Sequence, residues 1–355
     1  MVSALQTFND VAICNSWDTP ERSQAPSSGT RMLPMIPPTS PLSPVILALG
    51  CGGARGMAHI GVIRSLEEAG LSVAGIAGTS IGSAVGGVHC AGVLDRYEER
   101  MRSMTRREVL TLLDPGLPSS GLFGGARLER LMREMCGDLR IEALHLPFVA
   151  IAVDLADGAE VRMQSGDLVA AVRASSSIPG VFRPVRQDGR WLVDGGLVSP
   201  VPVHAARTLG PHPIVAVNLN QSGGASLLDP TDEAVHVSET ESDSRPAGST
   251  LAARAQGARD EIGRHLDRLR RSLRQPNSEQ RPSLISTLNE SIAISCNHLA
   301  QSQMALDPPD LFIEPNLAQV GMFDMHRSAE LIDEGARATR AALESEAGRA
   351  LLART

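Results

Sequence analysis

The sequence predicts an α/β protein, a three-layer α/β/α sandwich with a mostly parallel central sheet. Two observations lead to this prediction. Apolar runs of strand length alternate along the chain with segments whose apolar residues recur at helical spacing. The runs are continuous, as in residues 45–49, and this pattern is typical of parallel strands that are covered by helices on both faces.

The predicted elements follow one another in a simple order. The first two strands, at residues 45–49 and 71–77, each lead through a glycine-containing turn into a helix. Asp157-Gly158 and Asp188-Gly189 predict two hairpins, because Asp-Gly is a favoured two-residue turn between strands. The remaining predicted strands are at residues 148–153, 214–219 and 311–314, and the remaining helices at 128–136, 284–304 and from about 326 onward.

Composition divides the chain into a tail, one large domain and an insertion. Residues 1–44 are rich in proline and serine and show no apolar periodicity, which predicts a flexible N-terminal tail. Residues 45–345 carry the strands and helices of the α/β domain. Within this domain, residues 221–282 change to serine, glycine and acidic residues and then to arginine, which predicts a variable insertion.

Charge and residue counts exclude several classes of protein. The net charge of −7 argues against a phosphate-seeking surface, so we expect no nucleic-acid partner. All 33 basic residues are arginine, and without lysine the chain cannot use Schiff-base chemistry, pyridoxal phosphate or a Walker-A phosphate loop. The 5 cysteines are scattered and include no Cys-x-x-Cys pair, so neither a disulfide framework nor a zinc site is predicted.

The N-terminus and the apolar segments predict a cytoplasmic protein. Residues 1–15 lack the basic start and the uninterrupted apolar stretch of an export signal. The uncharged run at residues 71–94 is rich in glycine, and a strand followed by a helix explains it better than a membrane span. A helix predicted at residues 262–274 has leucines on one stripe and arginines around it. Packing against the domain is favoured for this helix over peripheral contact with an anionic membrane.

Gly78-Thr79-Ser80-Ile81-Gly82 is a G-x-S-x-G pentapeptide at the junction of the second strand and its helix. Such a junction forces a sharp turn that exposes the serine hydroxyl, and a Cβ at either glycine would collide with a neighbouring element. On its own the pentapeptide is weak evidence for a nucleophile. Serine and glycine are abundant in this chain, and a packing turn explains the pattern equally well.

Two further glycine motifs follow predicted strands. Residues 50–56, Gly-Cys-Gly-Gly-Ala-Arg-Gly, expose backbone N–H groups beside a helix N-terminus, which suits an oxyanion hole. The loop fails the dinucleotide pattern G-x-G-x-x-G, because Arg55 occupies the last glycine position. Asp194-Gly195-Gly196 follows the strand at residues 190–193, and in isolation it reads as an ordinary turn.

Together these motifs resemble those of the patatin-like phospholipases, specifically the bacterial branch similar to the catalytic domain of neuropathy target esterase. The resemblance extends over residues 45–220 and 284–345, and it includes the segments 58–62, 177–182, 307–310 and 323–324. Several motifs in the same order are far more specific than any one of them. The resemblance implies a patatin-like fold in which residues 45–345 form a hydrolase domain.

The resemblance also implies an enzyme that cleaves carboxylic esters of phospholipids, lysophospholipids or other fatty-acyl esters through an acyl-enzyme. Ser80 is then the nucleophile, Asp194 its base, and the N–H groups of Gly52, Gly53 and Ala54 form the oxyanion hole. This chemistry requires no metal and no organic cofactor. The residues that support the motifs are Gly50, Arg55, Gly56, Gly78, Gly82, Gly195 and Gly196.

Other interpretations stay open at this point. Cys51 stands where the family usually has glycine, which puts that part of the oxyanion hole in question, and Cys51 as a nucleophile would lack an assignable base. A Ser–Asp–His triad is a second mechanism, and a non-catalytic scaffold that binds partners through residues 221–282 is a different function. The sequence contains no signal for a particular oligomeric state. The histidines that follow Asp194 and could complete a triad are His204, His212, His298 and His326.

Overall fold

A computed structural model describes residues 43–114, 121–220 and 284–354, and in these ranges it confirms the predicted α/β sandwich. The predicted tail at 1–44, apart from its last two residues, and the predicted insertion at 221–282 with its helix at 262–274 lie outside the described residues. Eight strands form one sheet. They are β1 (Ser43–Leu49), β2 (Leu71–Thr79), β3 (Phe148–Asp154), β4 (Glu160–Met163), β5 (Val185–Gln187), β6 (Arg190–Asp194), β7 (Ile214–Val217) and β8 (Leu311–Ile313).

The sheet is mostly parallel, as predicted. Hydrogen-bonded pairing connects the strands in the sequence β5-β6-β3-β2-β1-β7-β8, and β4 also pairs with β3. Strands β3, β2, β1, β7 and β8 run parallel to one another. The antiparallel pairs are β3 with β4, β3 with β6, and β5 with β6, which include the two predicted hairpins.

Helices flank the sheet, and the one at Ile81–Cys90 begins only one residue after β2 ends. A 3₁₀ turn at Gly53–Met57 leads from the first glycine loop into the first helix. The helices in the described ranges are α1 (Ala58–Glu68), α2 (Ile81–Cys90), α3 (Leu94–Arg102), α4 (Arg106–Leu112), α5 (Ala126–Cys136), α6 (Leu168–Ser175), α7 (Val203–Arg207), α8 (Leu284–Leu306), α9 (Ser328–Leu343) and α10 (Glu346–Ala353).

Strand β1 shows why its sequence is apolar without alternation. Val45 and Leu47 belong to the hydrophobic cluster on one face of the sheet, which includes Ile60 of α1. Ile46 and Ala48 belong to a second cluster on the other face. Successive side chains of a strand point to opposite faces, so a strand covered on both faces must be apolar at every position.

Two predicted boundaries of the domain are corrected by the structure. β1 begins at Ser43, which pairs with Leu71 of β2, so the last two residues assigned to the tail belong to the sheet. At the other end, α10 lies entirely beyond residue 345, and its Leu351 is buried, so the domain continues past the predicted boundary. The sequence does not predict helices α3, α4, α6 and α7. The apolar stripe of α3 consists only of Leu94, Tyr97 and Met101, which is too short to produce a clear period.

Within the three described ranges, no helix is both long enough and apolar enough to cross a membrane.

Candidate active site

The sheet brings together Ser80 and Asp194, which are 114 residues apart in sequence. Thr79, the last residue of β2, pairs with Ile151 of β3, and the next residue of β3 pairs with Asp194 of β6. Strand β4 pairs with residues 150–153 and therefore occupies one edge of β3. Because a strand has only two edges, β2 and β6 share the other edge and meet end to end. Ser80, directly after β2, thus lies beside Asp194.

The side chains of Ser80 and Asp194 form a buried hydrogen-bonded pair. Ser80 Oγ donates to Asp194 Oδ2 at 2.5 Å, and the backbone N–H of Gly196 donates to the other carboxylate oxygen at 2.8 Å. Burial raises the pKa of Asp194 to about 6, although the hydrogen bonds from Ser80 and Gly196 oppose this shift. The Asp194 carboxylate is therefore a stronger base than an exposed aspartate and is positioned to receive the proton of the serine hydroxyl.

Ser80 occupies a strained turn between β2 and α2. Its φ is 56° and its ψ −124°, and only one other non-glycine residue in the described ranges has a positive φ. The turn is fixed by two further serines. The backbone N–H of Ser80 donates to Ser175 Oγ at 2.9 Å, and Ser83 Oγ donates to the Ser80 carbonyl at 2.6 Å. The hydroxyl of Ser80 is thereby aimed away from its own backbone and toward Asp194.

The two glycines of the G-x-S-x-G motif allow the elements around Ser80 to approach closely. A Cβ on Gly82 would lie 2.1 Å from the carbonyl oxygen of Leu49, at the end of β1. A Cβ on Gly78 would lie 2.5 Å from the carbonyl oxygen of Gly82. Both distances are far below van der Waals contact, so only glycine fits at these positions. The predicted reason for the two glycines is confirmed.

The glycine loop after β1 places two free backbone donors beside the dyad. Gly53 has a φ of +58°, a conformation that favours glycine, and it lines the same cavities as Ser80. Within the described ranges, no acceptor takes the N–H of Gly52 or of Gly53. The N–H of Ala54, which the resemblance also assigns to the oxyanion hole, donates to the carbonyl of Met322 at 2.9 Å and is therefore occupied in this structure. Of the three predicted donors, the N–H groups of Gly52 and Gly53 are therefore the two that are free in this structure.

Three groups hold the peptides just before these donors. Asn220 Nδ2 donates to the carbonyl of Cys51 at 3.0 Å, and the N–H of Cys51 donates to the carbonyl of Pro200 at 2.9 Å. The His59 ring bonds to the carbonyl of Gly50 at 2.9 Å, with Nε2 as the donor because a carbonyl can only accept. Cys51 has no positive φ, so its departure from glycine leaves the loop intact.

Cys51 itself is poorly suited to act as a nucleophile. Its pKa is raised well above the usual value by a hydrogen bond with the thiol of Cys296 and by burial, with a further contribution from Asp194. The reactive form of cysteine is the thiolate. A thiol that stays protonated and lacks its own base does not compete with Ser80.

A catalytic triad would require an imidazole beside Asp194. Among the described residues, no histidine lines the two cavities that contain Ser80. His204 and His298 are exposed. His59 is bound to the loop carbonyl, and burial lowers its pKa to about 4. The geometry therefore favours direct proton transfer between Ser80 and Asp194.

Two cavities meet at Ser80, and their linings differ in polarity. The first, which we name the apolar cavity, extends beneath α2. Besides Ser80 it is lined chiefly by Ile81, Ala84, Tyr97, Met101, Val109, Leu112, Leu128, Leu131, Met132, Val169, Val172, Phe182 and Phe323. The second contains both Ser80 and Asp194, and we name it the polar cavity because a larger share of its lining is polar than in the first, although most of it is still apolar. Besides Ser80 and Asp194 it is lined chiefly by Cys51, Gly52, Arg55, Leu197, Asn220, Asn289, Glu290, Ile292 and Cys296.

Sequence analysis missed three residues of this site. Ser175 lies two residues before the motif at 177–182, and Asn220 directly follows the predicted strand at 214–219, so position relative to those elements was the available signal. Asn289 had no local signal, because it comes from a helix more than 200 residues after Ser80. None of the three belongs to a motif that indicates chemistry by itself.

Comparison with known proteins gives consistent results. The patatin-like phospholipase family model matches residues 47–207. An uncharacterized NTE family protein of Mycobacterium tuberculosis is 35% identical over 329 residues, which cover 85% of this chain and 91% of that protein. Human patatin-like phospholipase domain-containing protein 6 is 33% identical over 196 residues, 52% of this chain but only 14% of that much longer protein. Neuropathy target esterase sws of Drosophila melanogaster is 32% identical over 194 residues, with 53% and 14% covered.

These matches confirm the resemblance that the motifs indicated. The family model covers the glycine loop, Ser80 and Asp194, and the mycobacterial relative matches along most of its length. The predicted enzyme class, a lipid ester hydrolase, is confirmed at the level of the family. The chain belongs to the patatin-like phospholipase family, in the branch of the NTE proteins.

Proposed function

We propose that this protein hydrolyses fatty-acyl esters of phospholipids, lysophospholipids or related lipids through a Ser80–Asp194 dyad. The observation that carries the proposal is the 2.5 Å hydrogen bond from Ser80 Oγ to Asp194 Oδ2, beside the unpaired N–H groups of Gly52 and Gly53. A nucleophile, a base and oxyanion donors are the parts that acyl transfer requires.

In the first half of the reaction Ser80 Oγ attacks the ester carbonyl while its proton passes to Asp194 Oδ2. The carbonyl oxygen becomes an anion, which the N–H groups of Gly52 and Gly53 stabilise. The tetrahedral intermediate then collapses. The bond to the leaving oxygen breaks, and that oxygen takes the proton from Asp194, so an alcohol leaves and the acyl group stays on Ser80.

In the second half a water molecule replaces the departed alcohol. Asp194 accepts a proton from this water, whose oxygen attacks the acyl carbonyl, and the same two N–H groups stabilise the second tetrahedral anion. When the bond to Ser80 breaks, the proton returns from Asp194 to Ser80 Oγ. The fatty acid leaves, and the dyad is restored without any group from outside the chain except water.

The two cavities support a division of the substrate at Ser80. The apolar cavity offers almost only hydrocarbon surface and therefore suits the acyl chain, whose burial there removes apolar area from water. The polar cavity contains Arg55, Glu290 and two asparagines and therefore suits the alcohol part of the ester. Because Asp194 lines only the polar cavity, the proton donor stands on the side from which the alcohol departs.

The test is active-site labelling combined with turnover of a soluble ester. A fluorophosphonate probe should label the protein at one residue, and peptide mapping should identify it as Ser80. The protein should also cleave a short-chain nitrophenyl ester, and Ser80→Ala and Asp194→Asn should each abolish this turnover with unchanged circular dichroism. The losses should not add in the double variant, because the two groups act as a unit. Near-full activity of Asp194→Asn, or labelling at another residue, would refute the dyad. Absence of turnover by the unmodified protein would favour the scaffold function.

A further inference from the structure

Asn289 is a buried amide without an obvious structural role. Its side chain lines the polar cavity together with Ser80 and Asp194, and the residue is only 4% exposed. Its Oδ1 has no hydrogen-bond partner among the described residues. An unpaired polar group in a protein interior costs about 1–3 kcal/mol of stability, so its presence calls for an explanation.

The position of Asn289 is fixed relative to the dyad. Asn289, Ile292, Ala293 and Cys296 recur at helical spacing on one face of α8, and all four line the polar cavity. Cys296 Sγ donates to the carbonyl of Gly196 at 3.1 Å, and Gly196 in turn donates to Asp194. The face of α8 that carries Asn289 is therefore tied to the loop that holds the catalytic carboxylate.

The chemistry of the free atom indicates what it binds. A carboxamide oxygen is an acceptor and needs a donor, such as an O–H group. The alcohol part of a simple alkyl ester has no O–H group, because its single hydroxyl forms the ester. The alcohol part of a polyhydric ester does have one whenever a second hydroxyl is left free. Arg55, which also lines this cavity, donates from Nε to the carbonyl of Val320, and Asn289 Oδ1 has no partner among the described residues.

We propose that Asn289 is a specificity-determining residue that binds a free hydroxyl group on the leaving alcohol. This inference rests on the proposed function, because it assumes that the alcohol occupies the polar cavity. The substrates favoured by this contact are acyl esters of polyhydric alcohols that keep a hydroxyl next to the ester, glycerol monoesters being the simplest. The unpaired amide oxygen then lowers the stability of the free protein, and it gains its hydrogen bond when the substrate binds.

The test compares two esters with the same acyl chain, glycerol monododecanoate and propyl dodecanoate, in the full chain and in Asn289→Leu. Leucine has a similar size but no polar atoms. We expect the ratio of kcat/KM for the glycerol ester to kcat/KM for the propyl ester to fall by about 10-fold or more in the variant. The melting temperature should stay the same or rise, because an unpaired buried polar group has been removed. Ser291→Ala, an exposed position on α8, should leave the ratio and the melting temperature unchanged.

Each outcome bears on the proposal. An unchanged ratio in Asn289→Leu would overturn it, and so would an equal loss on both esters together with a lower melting temperature, which is the signature of a structural role. Should the leucine variant fail to fold, Asn289→Ala gives the same comparison with a smaller side chain. If the unmodified protein cleaves both esters and Asn289→Leu has the same kcat/KM ratio, the role of Asn289 is refuted but the proposed function is not. Failure of the unmodified protein to cleave either ester refutes the proposed function itself.

Discussion

The side-chain oxygen of Ser175 accepts the backbone N–H of Ser80 at 2.9 Å, while its own hydroxyl donates to the carbonyl of Ile151 at 2.5 Å. This contact ties the turn that presents the nucleophile to the end of α6 and to β3. It also occupies the N–H of Ser80, so that this amide does not serve the oxyanion. In the proposed mechanism, stabilisation of the anion therefore depends on the glycine loop.

We predict that Ser175→Ala lowers both stability and activity. The N–H of Ser80 loses its acceptor in a buried turn with a positive φ, which should cost about 1–3 kcal/mol of unfolding free energy. The relaxed turn should also move Ser80 Oγ away from Asp194 and lower kcat. Denaturant unfolding and ester turnover measure the two effects. Ser65→Ala, which removes a buried serine on α1, is the control and should leave kcat unchanged. Full kcat in Ser175→Ala would contradict the role in positioning.

At acidic pH the activity should be controlled by the ionisation of Asp194. Because burial raises the pKa of Asp194 to about 6, its basic form is lost as the pH falls through that value. We expect kcat/KM to be constant above about pH 7 and to fall about tenfold for each pH unit below 6. A pH–rate profile on a soluble ester tests this. The profile should be unchanged in His204→Ala, His212→Ala, His298→Ala and His326→Ala, and a loss of activity in any one of them would revive the triad.

The same carboxyl group should lower stability at neutral pH. The pKa of Asp194 is about 6 in the folded protein and about 4 in an unfolded chain, so between these values the folded state holds a proton that the unfolded state has released. The unfolding free energy therefore falls as pH rises from about 4 to 6, by an amount on the order of 3 kcal/mol. Asp194→Asn cannot ionise and should lack this contribution. Its stability relative to the unmodified protein should rise across that window and level off above it. If the unfolding free energies of the two proteins changed in parallel with pH, folding would not raise the pKa of Asp194, and the prediction would be wrong.

Although Asn220 lines the polar cavity, its amide should affect the rate more than substrate binding, because its Nδ2 is already bonded to the glycine loop. Asn220 Nδ2 bonds to the carbonyl of the peptide whose N–H belongs to Gly52, so it both orients and polarises that donor. We expect Asn220→Leu to lower kcat by about 10-fold or more while KM changes by less than about twofold. Inhibition by an alkyl boronate, which forms a tetrahedral adduct on Ser80, should weaken by the same factor as kcat.

A matched control separates this effect from a loss of stability. Thr339 Oγ1 donates to the carbonyl of Gly335 at 2.8 Å and is fully buried on α9. Thr339→Val removes a buried hydrogen bond, as Asn220→Leu does, but should leave kcat and boronate inhibition unchanged. If Asn220→Leu lowers only the melting temperature, Asn220 supports the fold and has no part in positioning Gly52.

The residues of the site differ in how far the sequence could predict them. Ser80, Gly78 and Gly82 belong to one local turn, whose glycine spacing expresses the steric requirement. Asp194 lies in a motif that in isolation resembles an ordinary turn, so it could be assigned only from the order of several motifs along the chain. The hydrogen bond that occupies the N–H of Ala54 could not be predicted, because its partner is far away in the sequence. The acceptor of its N–H is the carbonyl of Met322, which lies 268 residues further along the chain. Asn220 and Asn289 acquire their roles only when β7 and α8 are placed against the glycine loop, and no local pattern records that placement.

The last prediction compares two glycines of the same helix under the same substitution. In Gly82→Ala the new Cβ would lie 2.1 Å from the carbonyl oxygen of Leu49, a backbone atom of a central strand that cannot move aside. In Gly87→Ala the nearest atom is the terminal Cδ1 of Leu168, at 3.1 Å, which a small change of rotamer can displace.

We expect Gly82→Ala to lose about 3 kcal/mol or more of unfolding free energy and most of the ester turnover, because α2 must shift and carry Ser80 with it. Gly87→Ala should remain within about 1 kcal/mol of the unmodified protein, since alanine favours a helix over glycine by a similar amount, and it should keep its activity. Urea unfolding and turnover of a soluble ester measure both variants side by side. Equal losses in the two variants would mean that any added Cβ on α2 is harmful. The close contact between Gly82 and the end of β1 would then not explain how the nucleophile is positioned.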